Sequence, residues 1–207
     1  MNKTVLNKSY QITFLMLICI TVIVYIRSLN KQLNNKQTLS LQLAGLVTSI
    51  SAFHYYYMMK TNTPVVYRYF DWIFTTPILL LDLLIILDIY NFKFFVKIVI
   101  LNTIMLLFGY LGEVSVISIT SSAILGFIPF ILMFYMIRKK INVKTNDQSK
   151  SREKTIDNRI YSIFAGLWLL YGANHLMPNI EIKNTSYNIL DLLTKGIFAL
   201  YLYYRSW

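Results

Sequence analysis

The chain has 207 residues, of which 56% are hydrophobic and only 14% are charged, and its net charge is +11. That length makes one domain, 1–207, the default, and the apolar balance excludes an ordinary soluble fold in favour of an all-helical membrane protein. The basic excess raises nucleic acid as a partner, but the lysines and arginines gather in alternate connections between apolar runs, which argues against a nucleic-acid interface and for a membrane face.

Seven apolar segments are expected as membrane-spanning helices, at 9–29, 39–60, 64–88, 93–112, 115–137, 159–177 and 186–204. Arg27, Lys31 and Lys36 follow the first, Lys93 and Lys97 open the fourth, and the run from Arg138 to Arg159 joins the fifth to the sixth. By the positive-inside rule these face the cytoplasm, which leaves the amino terminus outside and the carboxyl terminus inside. The basic connection between helices five and six is expected to meet anionic headgroups of the bilayer.

The first segment, YQITFLMLICITVIVYIRSL, is too long and too lightly charged in its leading part for a typical cleaved signal peptide, and is kept as helix one with a packing role. It holds the lone cysteine, Cys19, so no disulfide forms within the chain. Helix two carries Gln42, Thr48, Ser49, Ser51, His54 and the run Tyr55–Tyr57, but no carboxylate. Some of these polar groups are expected to face the bundle interior; His54 is either a proton relay or, the preferred reading, an uncharged histidine held by a neighbouring hydroxyl. The short connector KTNTPVV makes helices two and three antiparallel neighbours.

Helix three contains the most informative stretch, Arg68 to Leu83, RYFDWIFTTPILLLDL. Ionisable groups at bilayer depth cost roughly 2.5–3.5 kcal/mol each on insertion scales, so they persist where they pair or carry protons, ions or a ligand. At 100° per residue Arg68, Asp71, Thr75 and Asp82 fall on one stripe, with Asp71 and Asp82 about 20° apart around the axis and about 16 Å apart along it. That spacing describes a proton ladder, not a metal site. Pro77 interrupts the backbone hydrogen bonding between the two acids, and Thr75 and Thr76 are placed to satisfy the carbonyls it disturbs.

Helix four contains Asn102, Met105 and Gly109, with Glu113 at its outer end, and helix five opens among the small hydroxylated residues Ser118–Ser122. The segment INVKTNDQSKSREKTIDN reads as a solvated loop or short helical extension. Helix six carries Trp168, Tyr171, Gly172, Asn174 and His175. On helix seven Asp191 and Lys195 are four residues apart, on one face. A buried amine is disfavoured in its charged form unless a carboxylate pairs with it, and the free amine is the species that condenses with an aldehyde. A structural ion pair explains Lys195 and Asp191 alone; joined to Arg68 and Asp71 they describe a counter-ion cage around a protonated imine.

RYFDWIFTTPILLLDL on helix three, WLLYG on helix six and DLLTK on helix seven together resemble the microbial (type I) rhodopsins, over all seven helices in order. The resemblance implies that Lys195 carries all-trans retinal as a Schiff base, with Asp71 and Asp191 its counter-ions and Asp71 the primary proton acceptor. It implies that Arg68 is the outward-side gate, Thr75 a hydrogen-bond partner of Asp71, and Asp82 the cytoplasmic proton donor. Trp72, Thr76, Leu79, Met105, Gly109, Trp168 and Tyr171 match positions that wall the polyene, and Thr194 adds a hydroxyl beside Lys195. Homo-oligomers are implied as well, since family members form dimers, trimers or pentamers.

There are departures from the family pattern. Gly172 stands where a proline is usual and His175 where an aromatic residue flanks the ring, and the tryptophan expected on helix five is replaced by the hydroxyls around Ser118–Ser122. Lys183 occupies an acidic position of the outer release cluster of bacteriorhodopsin; Glu181 and Glu113 are the candidates to substitute there, but are expected to be solvent exposed. Short loops and an Asn-, Lys-, Ile- and Tyr-rich composition are similar to the rhodopsins of large viruses of protists.

The resemblance therefore implies a light-driven ion transporter rather than a conventional enzyme. An acceptor and a donor carboxylate on opposite sides of one imine describe an outward proton pump. The alternative is a light-gated channel for monovalent cations, against which stands the lack of a carboxylate on helix two. A photosensor that signals through its basic inner loop ranks last, because no signalling domain is appended.

Overall fold

The computed structural model describes residues 3–61, 65–146 and 151–204. Part of the connector between helices two and three, residues 62–64, and residues 147–150 of the basic connection lie outside the described residues. All the regular structure among the described residues is helical: α1 (Lys3–Ser28), α2 (Asn35–Thr61), a short 3₁₀ turn (Val65–Tyr67), α3 (Arg68–Ile86), α4 (Phe92–Glu113), α5 (Ile119–Asn146), α6 (Ser151–His175) and α7 (Ile180–Asp191). A π-helical segment (Leu192–Ile197) then leads directly into α8 (Phe198–Tyr204), so that α7, the π segment and α8 form the seventh helical rod.

The helix ends follow from local chemistry. Asn34 and Gln37 exchange side-chain-to-backbone hydrogen bonds at 2.9 Å, a reciprocal box that starts α2. The side chains of Asn91 and Asn179 accept the amide protons of Phe94 and Ile182 to start α4 and α7, and Ser118 accepts that of Ser121 to start α5. After α3 the chain turns through Asp88 at φ 55°, a left-handed conformation that Asp tolerates better than most residues, and the amide of Ile89 closes onto the carbonyl of Leu84. Ser115, at φ 60°, does the same after α4, with Val116 closing onto Leu111.

Among the described residues four helical stretches are long and apolar enough to cross a membrane: Leu6–Ser28, Val65–Ile86, Phe92–Glu113 and Ile119–Lys144. Their outward side chains, such as Leu15 and Ile26 on α1 and Ile100 on α4, are exposed apolar groups of the kind that lipid covers.

The chain divides into two compact units, Met1–Asp82 with Met177–Trp207, and Leu83–Leu176. In the first, Tyr10 and Leu17 of α1 pack on Ala52, Tyr55 and Met58 of α2. The two helices approach closely where Gly45 faces the Tyr25 ring, since a Cβ there would lie 2.9 Å from it. Gly196 likewise lets the π segment close on α1, its missing Cβ falling 2.9 Å from Ile20 Cδ1. In the second unit, Phe134 of α5 meets Trp168 of α6 edge-on, and the Tyr161 hydroxyl donates to the Phe134 carbonyl at 3.0 Å. Lys144 of α5 donates to the Leu87 carbonyl at 2.8 Å and pairs with Asp157 of α6 at 3.0 Å.

Candidate functional site

In the first unit, Lys195 Nζ lies 2.5 Å from Asp71 Oδ2 and 3.2 Å from Asp191 Oδ1. All three side chains are 1% exposed. Lys195 belongs to the π-helical segment, a local widening of the helix that is frequent at functional sites, and Thr194 beside it donates to the Leu190 carbonyl at 2.9 Å. The second oxygen of Asp71 accepts from Ser51 of α2 at 2.9 Å, and Asp191 Oδ2 accepts from the Tyr55 hydroxyl at 2.7 Å. Both carboxylates are thus held by the lysine and by one hydroxyl each, the pairing a buried charge requires.

Arg68 closes one side of this cluster. Its guanidinium donates to Asn184 Oδ1 at 3.0 Å and to the Asn184 carbonyl at 3.2 Å, to the Tyr55 hydroxyl at 2.9 Å and to Asn188 Oδ1, and it stands 3.7 Å from Asp191 Oδ2. The rings of Tyr10, Tyr55 and Tyr187 surround it within 5.7 Å. Asn188 extends the chain by donating to Ser9 of α1 at 2.6 Å. Asn184, Asn188, Asp191 and Lys195 recur at helical spacing on one face of the seventh rod, a signal that would have found Asn184.

Thr75 donates to the Asp71 backbone carbonyl at 2.9 Å, and Thr76 to that of Trp72 at 2.7 Å. The threonines therefore bond the Asp71 and Trp72 carbonyls and not that of Ile73, which is the one Pro77 leaves without its helical donor, and the hydroxyl on the Asp71 carboxylate comes from Ser51. Trp72 stands edge-on to Tyr69 and Tyr187 at 5.0 and 4.9 Å, and Leu79 is buried on the same helix. Asp82 is separate from the lysine cluster: Ser40 of α2 donates to its Oδ1 at 2.5 Å, and its Oδ2 has no hydrogen-bond partner among the described residues. His54 Nε2 has none either, so the neighbouring hydroxyl expected for it is not found.

In the second unit, Trp168 is buried between Phe134 and Phe164, and Met105, Gly109 and Tyr171 are half-buried. The two departures on α6 find partners here. Gly172 faces the Phe127 ring, whose Cζ lies 2.7 Å from where a Cβ would be, so the aromatic residue of α5 occupies the space a larger residue would need. His175 Nδ1 lies 3.1 Å from Glu113 Oε1, without hydrogen-bond geometry, and its Nε2 shares a hydrogen bond with Ser122 at 2.7 Å. Glu113, expected to be exposed, has a side chain only 10% exposed and lies beside His175.

A buried primary amine held between two carboxylates is the donor set that an aldehyde cofactor needs: a nucleophile to bond it and anions to balance the cation that results. The residues present therefore fit retinal. The Lys195 ammonium stands where the nitrogen of that linkage would be.

Residues 6–207 match the model of the bacteriorhodopsin-like protein family. A green-light absorbing proteorhodopsin from the gamma-proteobacterium EBAC31A08 is 28% identical over 177 residues, covering 78% of this chain and 71% of that protein. The crystal structure of the viral rhodopsin OLPVRII aligns with a TM-score of 0.83 at 29% identity, over 96% of each chain. That of a blue light-absorbing proteorhodopsin from Med12 aligns with a TM-score of 0.76 at 25% identity, over 96% of this chain and 94% of that one.

Proposed function

We propose a function from one premise: the chain belongs to the bacteriorhodopsin-like family, seven-helix membrane proteins that bind retinal through a lysine. The reading is a light-driven outward proton pump, with all-trans retinal on Lys195. Retinal, when bound, supplies the visible absorption and the light-driven bond rotation that starts the cycle. The observation that carries the reading is the separation of two carboxylates on α3: Asp71 at 2.5 Å from Lys195 Nζ, and Asp82 apart from it on Ser40.

In this reading the proton at Lys195 Nζ passes to Asp71 Oδ2, while Asp191 keeps its charge through Tyr55 and Arg68. Arg68, with Asn184 and Asn188, marks the outward side and holds positive charge beyond the acceptor. Asp82 returns a proton to Nζ from the cytoplasmic side, which requires it to hold that proton in the dark. A carboxyl bonded to one serine, with its other oxygen unpartnered, suits a neutral acid better than an anion.

A second reading, a light-gated channel for monovalent cations, draws on the polar chain from Ser9 through Asn188 to Tyr55 and Arg68. Voltage clamp of a cell supplied with retinal separates the two. A pump gives an outward photocurrent that keeps its sign at zero driving force. A current that vanishes there and reverses with the cation gradient establishes the channel and removes the donor role from Asp82.

A further inference from the structure

The start of α4 and the end of α5 enclose a cavity of about 540 Å³, all within the second unit. Because the two helices are joined by a short turn and run antiparallel, Lys93 and Lys97 of α4 come level with Lys139 and Lys140 of α5. All four lysines line the cavity, together with Asn91. Its remaining lining is apolar or aromatic, Phe94, Tyr135, Met136 and Val143. Lys140 Nζ sits 5.6 Å from the centroid of the Phe94 ring, which keeps one ammonium over the apolar floor.

We infer that this cavity binds the phosphate headgroup of an anionic phospholipid. Four like charges around one concavity repel one another, and among the described residues no carboxylate lines it to balance them. A phosphodiester supplies that balance, and basic pockets between helices at the membrane surface take anionic headgroups. The positive end of the α4 dipole lies at the same end and favours an anion there, although Asn91 already holds the Phe94 amide. Further along the two helices Ile100 of α4 and Ile131 and Leu132 of α5 are exposed apolar groups, which gives the acyl chains of the same molecule a surface to lie on. A soluble phosphate would use the lysines and leave that surface unused, so the occupant is the lipid.

The test is native mass spectrometry of the full chain in detergent, titrated with phosphatidylglycerol, phosphatidylcholine and inorganic phosphate. Its readout depends on neither retinal nor transport. Phosphatidylglycerol is expected to be retained at concentrations at least about tenfold below phosphatidylcholine. Lys97→Gln with Lys140→Gln should weaken that retention about tenfold, while Lys31→Gln with Lys36→Gln, which removes the same charge elsewhere, should leave it unchanged. Val143→Trp keeps every lysine and fills the cavity at an exposed position; it should also lose the lipid, and it carries the test where the lysine variant fails to fold. Equal retention of the two lipids, equal loss in both double variants, or displacement by millimolar inorganic phosphate would overturn the inference.

Discussion

Ser51 of α2 donates its hydroxyl to Asp71 Oδ1 at 2.9 Å, on the oxygen opposite the one that Lys195 holds. The proposed acceptor is therefore set by two helices at once, and one of its hydrogen bonds comes from a residue outside the rhodopsin motifs. A hydrogen bond to a charged group contributes roughly 1.5–3 kcal/mol, about one to two decades in an equilibrium. Ser51→Ala should leave the carboxylate readier to take a proton and speed the Lys195-to-Asp71 transfer by about tenfold. Ser51→Thr should keep the original rate. Flash photolysis measures both, and an unchanged rate in Ser51→Ala would mean that the hydroxyl does not govern the acceptor.

The retinal-free protein offers a separate test of the ion cluster. Lys195→Met leaves Asp71 and Asp191 buried around an apolar side chain, and breaking a buried pair in this way costs about 3–5 kcal/mol. Adding Asp71→Asn and Asp191→Asn should recover most of that loss, because amides need no counter-charge. Unfolding in detergent reads the comparison. Equal stability of Lys195→Met and the original chain would show that the three groups are not coupled.

Asp82→Asn should slow recovery of the dark state, by tenfold or more at neutral pH on the scale of general acid catalysis, and make that recovery depend on pH. Ser40→Ala keeps the carboxyl and removes its partner at 2.5 Å, so it should alter the recovery rate without making it depend on external protons. Time-resolved absorption at several pH values distinguishes the two variants. A recovery in Asp82→Asn that matches the original at every pH would exclude Asp82 as the donor.

Part of the lysine cluster is legible in the sequence, because helical spacing puts Asp191 with Lys195 on one face and Asp71 on the stripe of Arg68; the meeting of Asp71 with Lys195 follows from the two motifs taken together. The partners of those residues are not. Gln42, Thr48, Ser49, Ser51 and His54 distribute polar groups around α2, and spacing within one helix does not say which of them turns toward α3. The resemblance implies Thr75 as a hydrogen-bond partner of Asp71, and it is one through the Asp71 backbone carbonyl, which a threonine four residues on reaches readily. The π-helical segment leaves no mark in DLLTKGI. The approach of Glu113 to His175 joins residues on different helices, and only tertiary packing brings them together.

Gly172 is a departure that the structure converts into a prediction. In an α-helix a residue larger than glycine at this position needs the volume that the Phe127 ring holds, with Cζ at 2.7 Å and Cε1 at 3.0 Å from the Cβ position. The ring is itself braced edge-on by Phe130 at 5.8 Å. Gly172→Ala should therefore cost about 1–3 kcal/mol through overpacking, despite the better helix propensity of alanine. Gly172→Pro should cost more, since it also removes a backbone hydrogen bond. Phe127→Leu shortens the obstruction, and in that background Gly172→Ala should become neutral or stabilising. A double-mutant cycle read by thermal unfolding measures the coupling, expected to be at least about 1 kcal/mol for residues in direct contact. Additive effects would mean that Phe127 moves aside freely and that the glycine is not required by this contact.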